Sequence, residues 1–484
     1  MFIKKQLLVF FFMLASFAIF ADDGYRLWLR YDKISNASLL NKYKQQIIAP
    51  VIIGNSATMI AARAELENGI RGLLAADYKT SSTISSKTTL IIGKGAELDL
   101  GFSITEKIAL KELGSEGYII STKLFGQKKI VITANTDIGV MYGVFHFLRL
   151  LQTQQDIANL NIVSAPKIKL RLLNHWDNLN RTVERGYAGF SIWNWHQLPD
   201  YIDQRYIDYA RANASVGING TVLTNVNANA TILTKQYLEK VAALANTFRL
   251  YGIKIYLTAR FSAPIEIGGL KTADPLDAAV QQWWKEKVKD IYQLIPDFGG
   301  FLVKANSEGQ PGPQDYGRNH VDGANMFADA LAPYNGIVMW RAFVYSQQSN
   351  DRFKQAYEEF KPLDGQFRKN VILQVKNGPI DFQPREPFSP LFGAMPQTPL
   401  AMEFQLTQEY LGQGTHLVYE APMFKETLNA DTYAKGKGST VAKVIDGSLD
   451  NFSLTAIAGV SNIGNDINWC SHPFAQANWF ALGR

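Results

Sequence analysis

The sequence predicts an α/β protein in two parts, an N-terminal α+β domain followed by a closed TIM-type (β/α)8 barrel, and three observations predict it. Eight short apolar segments, at 168–174, 218–224, 253–259, 300–303, 337–340, 371–375, 401–404 and 456–460, have the length and composition of buried strands. Between most of them lie stretches of helical apolar periodicity, such as 201–214, 235–250, 276–294 and 352–360. Strands alternating with helices of this length form βαβ units on a parallel sheet. No glycine-rich phosphate loop follows the first segment, which counts against an open nucleotide-binding sheet. Eight repeats over roughly 320 residues favour closure into a barrel.

The stretch from 22 to 160 has a different rhythm. Residues 25–31 read as a strand, 57–76 as an amphipathic helix and 89–92 as an apolar strand. Segments 117–121 and 129–133 form a strand pair around the turn at Gly126, and 137–151 is a helix with Val140, Val144, Phe147 and Leu151 on one face. No catalytic constellation stands here. His146 lies in an apolar helix and is expected to be a packed, hydrogen-bonded core histidine. The barrel domain is expected from 161 to 484, with the Ala165-Pro166 break ahead of its first strand.

Residues 1–21 carry Lys4 and Lys5, an apolar run, and Ala21 before Asp22-Asp23, the pattern of a secretory signal peptide. Its apolar run is too short to span a bilayer comfortably. The expectation is an exported protein, periplasmic or extracellular, of about 463 residues, with no stable membrane insertion after cleavage. Cys470 is the single cysteine, so an intrachain disulfide and a cysteine-based zinc site are excluded. The formal charge of +6 falls by two when the signal is removed, and the remaining charges are dispersed. Without a basic stripe, nucleic-acid binding is not expected. Aromatic residues make up 12 % of the chain, which suits sugar-binding surfaces as well as a large core.

In a barrel of this type the residues just after each strand converge on one face. Strand one delivers Asn174, His175, Trp176 and Asp177; strand two Asn225, Asn227 and Asn229; strand three Arg260. Three consecutive strands, four to six, end on Lys304, Arg341 and Lys376, which would focus positive potential in the mouth and suit an anionic substrate. Glu308, Asp381 and Glu409 follow strands four, six and seven. Carboxylates facing one another across a barrel mouth are what glycosidic bond cleavage requires, one protonated for the leaving oxygen and one ionised to activate water. The competing reading is that the six groups only neutralise one another as ion pairs.

Several long segments resemble those of the glycoside hydrolase family 67 α-glucuronidases. They are Leu172-Leu-Asn-His-Trp-Asp-Asn178, Gly189-Phe-Ser-Ile-Trp-Asn-Trp195, Ser215-Val-Gly-Ile-Asn-Gly-Thr-Val-Leu-Thr-Asn-Val-Asn227, Lys304-Ala-Asn-Ser-Glu-Gly-Gln-Pro-Gly-Pro313 and Met402-Glu-Phe-Gln-Leu-Thr-Gln-Glu409. The opening domain, with Thr133-Ala-Asn-Thr-Asp-Ile-Gly-Val-Met-Tyr-Gly143 as its clearest piece, is similar to the small α/β domain preceding the barrel in this family and in hexosaminidases. The resemblance implies removal of α-1,2-linked glucuronic acid, or its 4-O-methyl ether, from glucuronoxylan-derived oligosaccharides, with inversion and with no metal or other cofactor. By the same resemblance Glu308 is the general acid, and Asp381 and Glu409 are the carboxylates credited with activating water. Lys304, Arg341 and Lys376 surround the uronate carboxylate, and Trp176 is an aromatic wall of the sugar pocket. In an inverting enzyme acid and base stand roughly 6.5–9.5 Å apart, the spacing expected between Glu308 and its partners.

The family continues into a largely helical third domain that has no counterpart before Arg484, which leaves homodimerisation open. Two other readings compete. A hexosaminidase-like glycosidase would need an adjacent Asp-Glu pair after strand four, and here Ser307 precedes Glu308. An inactive fragment or non-catalytic sugar-binding protein is the other. Trp193 and Trp195 are expected either to form a sugar platform or to pack the long strand-one loop, and His320 and His416 to take surface or supporting positions.

Overall fold

The computed structural model describes residues 22–98, 104–227, 229–343 and 351–484, with the side chains of 104–107 excepted. The expected signal peptide, 1–21, lies outside the described residues. Two sheets organise the rest. The first runs β1 (Val51–Ile52), β2 (Leu90–Lys94), β4 (Gln127–Ala134), β3 (Tyr118–Phe125), β5 (Asn161–Ser164) in spatial order. Its β1, β2 and β4 are parallel, while β3 is antiparallel to both β4 and β5.

Helix Asp137–Gln152 packs on this sheet and on helix Ala57–Leu74, and it also meets barrel helix Gln204–Val216. The Thr136 side chain caps its first turn by accepting from the Gly139 amide, and Arg149 sits in the last turn, where the helix dipole favours a cation. Its buried face includes Val140, Val144, Phe147 and Leu151. His146 has the core role its setting suggested: Nδ1 meets the Tyr118 hydroxyl at 2.7 Å, and burial, aided by Arg149 and Arg484, lowers its pKa to about 4.

Residues 25–28 form a turn and 29–31 an irregular stretch rather than the expected strand, with Leu27 at φ 53° and Tyr31 at φ 51°. The aromatic residues of this stretch serve packing. Trp28 lies edge-on to Trp479 and Phe480, and the Trp469 indole donates to the Tyr25 carbonyl at 2.8 Å.

The second sheet is a closed parallel barrel of β6 (Leu170–Asn174), β7 (Gly220–Val222), β8 (Lys254–Thr258), β9 (Gly300–Val303), β10 (Ile337–Arg341), β11 (Val371–Lys376), β12 (Leu400–Gln405) and β13 (Ala456–Val460), with β13 closing on β6. Each falls on one of the eight expected segments. A cluster including Leu172, Tyr256, Leu302, Met339, Ile372, Ala401 and Ala458 fills the interior, and a separate, larger core lies between the barrel and its helices and under the first sheet. Among the described residues no helix is long and apolar enough to cross a membrane.

Candidate active site

Side chains two apart on a strand share a face, and this alternation builds the site. The interior residues Leu302, Met339, Ile372 and Ala401 lie on four adjacent strands. Two positions further toward the C-terminal ends stand Lys304, Arg341, Gln374 and Glu403, and two further again Lys376 and Gln405. The interior therefore turns from apolar to charged within one side-chain layer. On β6 the same step runs from Leu172 through Asn174 to Trp176.

Burial of these charges is possible because each is paired. Arg341 and Glu403, both essentially inaccessible, form a two-pronged pair at 2.9 and 2.6 Å, and Gln374 Nε2 donates to the same carboxylate at 2.8 Å. Lys376 Nζ stands 2.6 Å from Asp381 Oδ1, whose other oxygen accepts from the Tyr410 hydroxyl at 2.5 Å. Lys304 Nζ donates to Asn227 Oδ1 at 3.0 Å and touches the Glu308 carboxylate. Glu409 takes the Arg185 guanidinium at 2.5 Å and the Gln405 amide at 3.0 Å.

Phe343 ties the cations together. Its ring centroid lies 3.4 Å from Lys376 Nζ, 5.3 Å from Arg341 Cζ and 5.6 Å from Lys304 Nζ, so one quadrupole faces three positive groups. Arg341 Cζ is also 5.8 Å from the Trp176 ring.

The electrostatics follow from burial and from Arg341 at the centre. Burial works against the Arg341 charge, but Glu403 in contact and Asp381 and Glu308 nearby hold its pKa above the ordinary value. Burial and the neighbouring Arg341 lower the pKa of Lys304, against the pull of Glu308. The same two causes bring Lys376 down to about 8. Burial would raise Asp381, yet Lys376 and the Tyr410 hydroxyl outweigh it and set its pKa below the usual carboxylate value.

The loop after β9 is held by its own polar groups. Asn306 Oδ1 accepts from the Gln314 amide at 2.9 Å, Asp315 Oδ2 accepts from the Gly312 amide at 2.9 Å, and Arg260 donates to Gln310 at 3.0 Å. Asn306 and Glu308 both sit at φ 50°, a left-handed conformation uncommon outside glycine. Glu308 projects from this loop with 47 % of its side chain accessible. Beneath Trp176 a buried chain runs from Asp177 through His175 and the Tyr209 hydroxyl to Thr221, with contacts of 3.3, 2.8 and 3.0 Å, which makes His175 a support for the strand-one loop.

The structure thus gathers Lys304, Lys376, Trp176, Glu308 and Asp381 around Phe343 and Arg341, while Glu409 is paired with Arg185. Other residues expected near the mouth have structural work. Asn229 caps the short helix Ala230–Leu233, Trp193 and Trp195 are buried in packing, and His320 is buried against Phe360, accepting from the Trp340 indole at 3.2 Å rather than taking a surface position. His416 is exposed. Sequence reasoning missed Arg185, Phe343, Glu403 and Tyr410. Glu403 carried a signal, a carboxylate inside the otherwise apolar run of β12; Arg185, in a long loop, carried none.

A small mixed sheet thus precedes a closed barrel that carries carboxylates and cations together at its C-terminal mouth. The fold is shared with solved structures of a family GH115 4-O-methyl-α-glucuronidase with specificity for decorated arabinogalactans (TM-score 0.53, 12 % identity, covering 90 % of this chain and 56 % of that one) and of a chitobiase from Flavobacterium johnsoniae (TM-score 0.52, 13 % identity, 90 % and 65 %). The models of the glycosyl hydrolase family 67 N-terminus and of the family 67 middle domain match residues 27–147 and 150–469. The chain belongs to glycosyl hydrolase family 67. Alpha-glucuronidase A of Emericella nidulans is 40 % identical over 96 % of this chain, and the alpha-glucuronidase of Hypocrea jecorina 39 % identical over the same share. The chain spans 56 % of the length of each of these relatives.

Proposed function

We propose that this chain hydrolyses the α-1,2 bond between (4-O-methyl-)glucuronic acid and xylo-oligosaccharides, with inversion of configuration. The observation that carries the reading is the buried triplet Lys304, Arg341 and Lys376 converging on one ring, each paired with a carboxylate. Three cations held together in a largely dehydrated seat favour a sugar bearing a carboxylate over a neutral one. Trp176 supplies an apolar wall against a pyranose face.

In this mechanism Glu308, on the accessible side, protonates the leaving xylose oxygen. Asp381 and Glu409 supply the ionised base: Asp381 keeps its charge through Lys376 and Tyr410, and Glu409 is oriented by Arg185 and Gln405. A cleft of about 440 Å³ lined by Asp177, Asn178, Asn180, Asn227, Asn229 and Tyr237 adjoins Lys304 through Asn227 and offers a polar seat for the xylose units. The reading carries with it export through the 1–21 segment and domains meeting near residue 160.

The test is turnover of an α-1,2-glucuronosyl xylo-oligosaccharide beside its neutral α-glucosyl counterpart. Release of glucuronic acid, with at least about 10²-fold preference over the glucosyl compound, is expected from a site built around a charged group. Equal turnover of the two, or none of the uronate, contradicts it.

A further inference from the structure

The three buried cations differ in how firmly their carboxylates are held. Glu403 is inaccessible and gripped at both oxygens by Arg341 and Gln374. Asp381 has 17 % of its side chain accessible and is held by Lys376 and Tyr410. Glu308 is held at one oxygen by Lys304, which is itself only 2 % accessible, and has 47 % of its side chain accessible on a loop with left-handed backbone.

The charges of the mouth are balanced pair by pair: Lys304 with Glu308, Arg341 with Glu403, Lys376 with Asp381, Arg185 with Glu409. Glu184, bonded to Asn225 at 2.8 Å, adds a further negative charge within reach of Lys304. A uronate entering this set brings one more anion into a region that excludes water. Such an excess is costly, and one proton removes it. An ion-paired Glu308 is also in the wrong state to act as an acid.

We propose that the substrate's own carboxylate displaces Glu308 from Lys304 and that Glu308 takes one proton from solvent as it leaves, so that binding a uronate arms the general acid. This rests on the uronate reading of the site and deepens it. The balance is simple: the Lys304 ammonium exchanges one carboxylate for another, and the released carboxylate becomes a carboxylic acid with the proton that solvent supplies. A neutral glucosyl unit does not compete for Lys304, leaves Glu308 ion-paired, and is discriminated against in kcat as well as in affinity.

The test needs no turnover. Glucuronic acid is titrated calorimetrically into the intact chain near pH 6, in two buffers of different ionisation enthalpy, with glucose as the control. Close to one proton taken up per glucuronate is expected, with Kd rising about tenfold per pH unit while Glu308 is ionised in the free protein. Glu308→Gln is expected to bind glucuronate with proton uptake near zero and a flat pH dependence. Binding without proton uptake overturns the coupling and leaves the uronate seat standing; uptake that persists in Glu308→Gln, or that vanishes instead in Asp381→Asn, also overturns it. Failure of glucuronate to bind overturns both the coupling and the uronate reading. If Glu308→Gln does not fold, Glu308→Ala takes its place, and absence of proton uptake by the unsubstituted chain overturns the coupling without any variant.

Discussion

Lys376 is charged below pH about 8 and loses its charge as pH rises through that value, because burial and Arg341 both disfavour the ammonium. On the proposed reading, its contribution to holding a uronate is present below about pH 8 and lost above it. A bound carboxylate raises the lysine pKa, so kcat/KM is expected to fall at lower pH than kcat does. Lys376→Met should remove this alkaline limb and raise KM by about 10²-fold, as expected for loss of a charge-assisted contact of 2–3 kcal/mol; an unchanged limb would place the titration elsewhere. Glu308→Gln is expected to lower kcat by about 10³-fold without raising KM, since a general acid acts in the transition state and an amide no longer competes with the uronate for Lys304. Equal activity would remove Glu308 from the acid role. Six of these charged residues were legible because each stands at the end of an apolar strand or in the loop just after it, and the barrel makes strand ends converge. Phe343 was not, since an aromatic two residues past β10 looks like ordinary core, and only the three-dimensional convergence of Lys304, Arg341 and Lys376 gives its ring a purpose.

At the level of elements, β9 begins at Gly300 with φ 132°, and a Cβ there would lie 1.9 Å from the Ile337 carbonyl oxygen of neighbouring β10. Gly300→Ala is expected to cost at least about 2 kcal/mol, read as a lower midpoint in urea, and to disturb the strand that carries Lys304. Retained stability would show that β9 and β10 can shift apart. The barrel strands were readable because buried parallel strands are continuous apolar runs bounded by helices. Short pieces were not: β1 has two residues, β5 gains its identity only from pairing with β3, and 25–31 has a strand's alternation without a partner strand.

For the whole molecule, the first domain is bolted to the barrel by polar contacts that sequence could not have paired. Glu65, buried in helix Ala57–Leu74, takes two bonds from Arg211 of a barrel helix at 2.7 and 3.0 Å and one from the Tyr31 hydroxyl at 2.6 Å. Arg171 reaches back from β6 to Glu116 at 3.0 Å. Removing one member of a buried pair strands the other, so Glu65→Ala is expected to lower stability by about 3 kcal/mol without altering the mouth. Separate melting of two units in calorimetry would mark the interface as the weak point, whereas an unchanged Tm would deny it a structural role. The central claim, that this mouth cleaves a uronosyl bond with Glu308 as acid and an ionised carboxylate activating water from the opposite face, is tested most directly by proton NMR of the first product formed from an α-1,2-glucuronosyl xylo-oligosaccharide. The β anomer of glucuronic acid appearing before mutarotation is the predicted result; the α anomer appearing first, or no release of glucuronic acid, would contradict it.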